Sequence, residues 1–399
     1  MFDLKVQWGI GICGKFSLIV YPSEEPLKEG PVFYIMKAKT ADEDRRYLMR
    51  ITDGTPYWTE VRKLIVEYAE AQGLDFTFQN LEAELENLTA RYGGRKGRLL
   101  VALDDGGTAL GCIACQRHNG LRCEMKRFYV RPQARGRKVG SALLQALVEL
   151  AARDGYDEMV LDTAGQMESA IALCRANGFE PIGPYGHHPR AGDHYMRRNL
   201  CPGKTVPLEI RAAGPEDYEA VRDFYYRLTE EMEHTRFAPG WKKDVYPTQA
   251  FLKESLQKGE LYAGWWNGTI PNYGASRPVP EAAAPPLQMV AAMVVNHRYN
   301  EGYRGVRWAV DVPDGELGVI HALGVLPAFS GRHAAAHMAQ YALDLARTRR
   351  LKVLRLDLLK GNLPAERAYL KVGFTYVDTV RQFYEDTGWT EFKLFECVL

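Results

Sequence analysis

Arg135, Arg137 and Lys138 crowd around Gly136 and Gly140 where a strand-like run ending at Pro132 meets "SALLQALVELAA" with no intervening loop. A helix that starts at the foot of a strand leaves its first N–H groups without intrahelical partners. Glycine lets backbone approach a ligand closely. Free N–H groups and the helix dipole then favour an anion. Three cations at a helix N-terminus oppose that dipole by some tenths of a kcal/mol each. The charge is useful there if a di-anion such as pyrophosphate answers it. A basic turn capping a surface helix is the plainer alternative. A second junction, "SGRHAA" at 330–335, lies between "VIHALGVLPAF" and "AHMAQYALDLA".

The elements that must position these loops recur. Residues 98–130 read as a meander, "RLLVAL", "TALGCIACQ" and "LRCEMKRFYV", turned by Asp-Gly and Asn-Gly pairs. A helix with Trp58, Val61, Leu64, Ile65 and Tyr68 on one face precedes it. A helix with Val139, Leu143, Leu147 and Leu150 follows, then the strand "EMVLDT" and the helix "ESAIALCRAN" ended by Gly178. The second half repeats this order from "LEIRAA" onward. A gapless offset of 195 residues carries Val130 to Val325, Pro132 to Pro327, Gly136 to Gly331, Asp162 to Asp357, Ala170 to Ala365 and Gly178-Phe179 to Gly373-Phe374. This predicts two copies of one α/β domain, residues 49–204 and 205–399, after an N-terminal extension 1–48 of unknown role. The Pro- and Ala-rich 270–288 reads as an insertion between strands. "GIGICG" in the extension matches a dinucleotide-binding pattern but has no βαβ context.

Composition narrows the function. The 399 residues are 46% hydrophobic and 25% charged, with a formal net charge of +1. Nothing in that balance argues for nucleic acid or an anionic membrane. No 18-residue apolar run or signal-peptide pattern is present, so no membrane span is expected and a cytoplasmic location is. The cysteines are seven, odd in number and scattered, as suits a reducing compartment. Cys112 and Cys115 form a C-x-x-C near His118 and Cys123, but on a strand they face opposite sides and lack a second pair. No metal is expected.

"VRPQARGRKVGSALL" resembles the pyrophosphate loop of the GNAT acyltransferases, whose signature is Q/R-x-x-G-x-G/A. Lys138 stands where that signature has its fourth-position glycine. The flanks "CEMKRFYVRP" and "LDTAGQMESAIALCRANGFEPI" extend the resemblance over about 57–200. "VIHALGVLP", "RLDLLKGNLPAERAYLKVGF" and "FYEDTGWTEFKLFE" carry it over 208–399, with Ser330 and His333 departing from the loop signature. The resemblance implies two tandem GNAT domains, each a mixed central sheet flanked by helices. It implies acetyl-CoA as co-substrate, held by Val130, Arg135, Gly136, Arg137, Lys138, Val139, Gly140 and Ser141 in one half. In the other it implies Val325, Ser330, Gly331, Arg332, His333, Ala334, Ala335 and Asn362.

The reaction so implied is attack of a neutral amine on a thioester. Freeing a lysine-like amine of its proton at pH 7 costs roughly 4–5 kcal/mol, so a base is useful, as is an acid for the thiolate. Tyr369 stands at the family's general-acid position. His321, four residues before Val325 on one strand, is a candidate base, with Glu316 a second. In the first half Cys174 and Met167 replace the tyrosine and asparagine, and Glu124 is the candidate base. Two enzymes, or one with a degenerate partner domain, both fit. The acceptor expected is a small-molecule amine. An acyl-CoA-binding module without turnover and a protein or peptide acetyltransferase are the alternatives. The acidic run Glu230, Glu231 and Glu233 either attracts a cationic acceptor or is a solvated face.

Overall fold

The computed structural model describes residues 33–36, 48–71, 81–94, 97–164, 167–185, 192–233, 235, 237, 239–268 and 287–399. The "GIGICG" segment and all but the last two residues of 270–288 lie outside them. The chain divides into two compact units, the first holding residues 122–181 and the second 201–399.

The first sheet contains β1 (Phe33–Met36), β2 (Leu48–Asp53), β3 (Gly97–Asp104), β4 (Ala109–Arg117), β5 (Arg122–Val130), β6 (Glu158–Ala164), β7 (Glu180–Ile182) and β8 (Asp193–Asn199). Its order is β1-β2-β3-β4-β5-β6-β8-β7. The second contains β9 (Glu209–Ala212), β10 (Leu261–Trp266), β11 (Gln288–Asn296), β12 (Leu317–Val325), β13 (Val353–Leu359), β14 (Thr375–Tyr384) and β15 (Gly388–Val398). Its order, β14-β15-β13-β12-β11-β10-β9, is that of the first sheet without β1. The repeat seen in the sequence is therefore a repeat of topology. No pattern in the sequence marks β1, which pairs antiparallel with β2, or the closing strands β7, β8, β14 and β15.

The long helices fall where the apolar spacing places them. They are α1 (Trp58–Ala71), α4 (Val139–Arg153), α5 (Glu168–Ala176), α6 (Tyr218–Met232), α8 (Ala334–Thr348) and α9 (Leu363–Val372). Val139, Leu143, Leu147 and Leu150 are all buried on α4. Full burial of such a side chain contributes about 1.5–3 kcal/mol. Helix α7 (Gln249–Gln257) and the short helices α2 (Leu81–Glu86) and α3 (Leu88–Tyr92) were not anticipated. The apolar faces of α2 and α3 span too few turns to give a clear period.

The decisive feature is a pair of splayed strands in each unit. β12 runs parallel to β13, yet pairs with it only from Leu317–Val353 to Val319–Arg355. β5 and β6 pair only from Arg122–Glu158 to Glu124–Val160. Beyond those residues each pair opens. On the other flank, β12 and β5 each carry a bulge against their antiparallel neighbour. The residues responsible are Ala322 and Arg127, at φ +49° and +53° and at the same place in the repeat. A bulge adds a residue and bends its strand. In the second unit Tyr225 of α6 donates to the Ala322 carbonyl at 2.8 Å and holds it. In the first, Arg127 is tied to the buried Glu84 through two hydrogen bonds of 2.6 and 2.8 Å.

Candidate active site

Both loops have the same backbone. Arg135 and Ser330 are extended, Gly136 and Gly331 lie at φ +74°, and Lys138 and His333 cap the following helices at φ +60° and +58°. A left-handed residue is what the missing fourth-position glycine would have supplied for free. The substitutions by Lys138 and His333 thus leave the turn intact. A Cβ placed on Gly136 or Gly331 would meet nothing within 4 Å, so these positions border open space. The Arg135 Nε donates to the Val130 carbonyl at 3.2 Å. Lys371 of α9, not foreseen, approaches His333 Nδ1 at 3.2 Å and brings a cation to the second loop.

In the second unit the loop opens into a cavity of about 520 Å³. Val325, Ser330, Gly331, His333, Ala334, Ala335 and Asn362 line it, as do Tyr369 and His321. Arg332 is not among the lining residues, and neither is Glu316, which lies at the opposite end of β12 from Val325. The even spacing of His321 and Val325 is not what unites them, because the bulge at Ala322 interrupts the alternation between the two. They share the cavity because β12 turns away from β13. Gly324 is needed where α6 crosses the strand, since a Cβ there would sit 2.2 Å from Leu228 Cδ2.

Burial raises the Tyr369 phenol above its ordinary value, with the Asp357 carboxylate adding to the effect, so it is protonated at neutral pH. His321 Nε2 lies 2.9 Å from the Arg298 carbonyl. That contact makes Nε2 the protonated nitrogen and leaves Nδ1 as the acceptor. Burial lowers this imidazole to about 4, so it is neutral at pH 7 but a weak base. The Asn362 side chain accepts from the Ala365 N–H as a helix cap.

Asp357 and Asp386 also line the cavity, beside Trp241, Tyr246, Tyr384 and Phe392. Neither was singled out from the sequence. The signal available was the repeat, which pairs Asp357 with Asp162. Tyr384 donates to Asp357 Oδ2 at 2.9 Å, and burial raises both carboxyls above the usual aspartate range.

The first unit differs at the matching places. Glu124 is bound by Lys126 at 2.7 Å and by Gln116 at 2.8 Å. Cys174 is buried and its thiol is pushed up to about 11 by that burial. Met167 precedes α5 without a side-chain cap. Cys112, Cys115 and Cys123 are buried thiols. Among the described residues no cluster of three or more His, Cys, Asp or Glu could hold a metal, and no helix is long and apolar enough to cross a membrane. Of the acidic run on α6, Glu231 pairs with Arg227 at 2.5 Å and Glu230 with Lys243.

Two repeated α/β units, each with strands opening over a glycine-bearing helix N-terminus, define an acyltransferase fold. The Acetyltransferase (GNAT) family matches residues 58–179 and 232–374, and the chain belongs to that family. An uncharacterized N-acetyltransferase of Schizosaccharomyces pombe is 42% identical over 142 residues, covering 35% of this chain and 87% of its own length. An IAA acetyltransferase of Azospirillum brasilense is 39% identical over 97 residues, 23% of this chain and 62% of that protein. A solved GNAT phosphinothricin acetyltransferase of Sinorhizobium meliloti, in complex with AcCoA, is 27% identical. It covers 38% of this chain and 87% of that one, with a TM-score of 0.32.

Proposed function

We propose that the second unit moves an acetyl group from acetyl-CoA to the primary amine of a small molecule by direct attack. The observation that carries this is one cavity joining the anion loop, the splayed edge of β12, Tyr369 and His321. The N–H groups of Ala334, Ala335 and Ala336, at the start of α8, would face the pyrophosphate. Lys371 adds a cation beside them. The opened edge past Val319 offers backbone groups to the pantetheine arm. The amine nitrogen bonds to the thioester carbon, the C–S bond breaks toward sulfur, and the amine gives up a proton. Tyr369 is the donor to the departing thiolate, and His321 Nδ1 is a neutral acceptor for the amine proton, directly or through water.

The relatives' names favour small acceptors. Besides the IAA acetyltransferase, an L-methionine sulfoximine/L-methionine sulfone acetyltransferase of Pseudomonas aeruginosa is 32% identical over 121 residues. The first unit supports a second reading, a CoA-binding module with little turnover. It keeps the loop at 135–141, but holds Cys174 at the position of the acid and engages Glu124 in an ion pair. We take residues 49–204 and 205–399 as the two domains. The test is CoA release by the full chain across amine metabolites, polyamines and peptides. Turnover with a small amine is the expected result, and CoA binding without release from any amine would favour the binding-module reading for the whole chain.

A further inference from the structure

At one register of the repeat the two units are opposites. In the first, Asp162 of β6 accepts from Lys126 of β5 at 3.2 Å. The offset of 195 residues carries that pair to Asp357 and His321. Both second-unit residues line the cavity. The carboxylate is kept, and its ammonium partner is gone.

Among the described residues no cation of the second unit replaces it. Asp357 is met by the neutral Tyr384, and the neutral Tyr303 and Gln382 also face it. The Tyr303 hydroxyl and the Gln382 amide, in side chains only 2% exposed, form no close hydrogen bond, but they lie near enough to Asp357 to favour its ionised form, and neither brings a charge. Asp386, only 8% exposed, is a second carboxylate in the same cavity. Lys242 is in its electrostatic neighbourhood, yet neither carboxylate forms an ion pair among the described residues. The Thr387 hydroxyl and the backbone N–H groups of Asp386 and Thr387 are the neutral groups that favour the ionised Asp386, and Thr387 lines the cavity too. Carboxylates taken from water without a counter-charge are costly to hold. Aromatic walls, here Trp241, Tyr246, Tyr384 and Phe392, favour a cation over an anion.

The geometry points to an ammonium-binding subsite formed by Asp357 and Asp386, and to an acceptor carrying two amino groups. One amine reacts at the thioester, and the other stays protonated between carboxylates. The Lys126–Asp162 pair is the internal counterpart of that contact, so the first unit is closed to the same acceptor. The inference rests on the acetyl-transfer reading of the second unit and narrows its substrate to α,ω-diamines and longer polyamines.

Calorimetry on the full chain saturated with CoA, which prevents turnover, compares 1,4-diaminobutane, 1-aminobutane and 4-aminobutanoate. The diamine should bind roughly tenfold or more tightly than the monoamine, as a charge-assisted contact warrants. The amino acid should not bind measurably. Asp386→Asn should lower diamine affinity roughly tenfold and leave CoA affinity unchanged. Equal binding of diamine and monoamine overturns the proposal, and that comparison needs no variant. So does unchanged diamine affinity in a folded Asp386→Asn chain. Failure of CoA itself to bind would instead remove the acetyl-transfer reading.

Discussion

Lys126 Nζ lies 3.2 Å from Asp162 Oδ1 in the first unit, and the residues at the same places in the second are His321 and Asp357. Lys126 also holds Glu124 at 2.7 Å. Burial works against its charge, but Glu124 and Asp162 together raise its pKa. Replacing it with methionine would leave two half-buried carboxylates facing each other. Lys126→Met should destabilise the chain by about 1–3 kcal/mol, read from urea midpoints at pH 7. An unchanged midpoint would show that the pair is solvated and contributes little.

Tyr369→Phe keeps the ring and its edge contact with Phe374, 5.6 Å between centroids. It removes only the hydroxyl. The kcat with an identified acceptor should fall roughly 10²–10⁴-fold, the usual worth of general acid catalysis, with CoA affinity little changed. Cys174→Ser in the first unit should have a small effect. Full activity in the phenylalanine variant would end the role assigned to Tyr369.

Asp357 carries a stability cost that depends on pH. Burial raises its pKa, while Tyr384, Tyr303 and Gln382 pull the other way. The nearby Tyr246 and Tyr369 hydroxyls stay neutral at pH 7, both raised by burial. A carboxyl whose folded-state pKa is raised binds more protons folded than unfolded. Stability is therefore lost as pH climbs from the ordinary aspartate range through the raised value. Asp357→Asn removes that loss. Its urea midpoint should exceed wild type at pH 7, and the gap should close as pH falls below the ordinary aspartate pKa. A lower midpoint at pH 7 would mean the ionised form is favourably held.

Gly136 and Gly331 sit at φ +74°. A β-branched residue there costs about 1–2 kcal/mol in backbone alone and distorts the turn. Calorimetry should find two CoA sites per wild-type chain and one strong site in either Gly136→Val or Gly331→Val. Two undiminished sites in both variants would separate the loops from CoA binding.

Among the described strands β1 pairs only with β2 and adds an edge strand that the second sheet lacks. The second sheet is closed on that side by β9 alone. A chain starting at Met49 should therefore fold and bind CoA. Insolubility of that chain, beside a soluble full chain, would make residues 1–48 structural.

Much of this was written in local patterns. Apolar spacing, Asp-Gly and Asn-Gly turns and the glycine-bearing junctions located β2 to β6, β9 to β13 and the helices beside the loops, but not β7, β8, β14 or β15, and the 195-residue offset disclosed the duplication. These signals are local because helix and strand periods and turn chemistry act over a few residues. The bulges at Arg127 and Ala322 left no such mark. They depend on a neighbouring strand's register and, at Ala322, on the Tyr225 hydroxyl 97 residues away in sequence. Charge pairing was hidden for the same reason. Arg122 and Glu158 form a buried ion pair at 2.5 Å in the first unit, and the repeat places Leu317 and Val353 there in the second. Sequence alone showed an aspartate conserved between the two halves at 162 and 357. Only the folded sheets, by setting β5 beside β6 and β12 beside β13, decided that one carboxylate meets a lysine and the other an aromatic cavity.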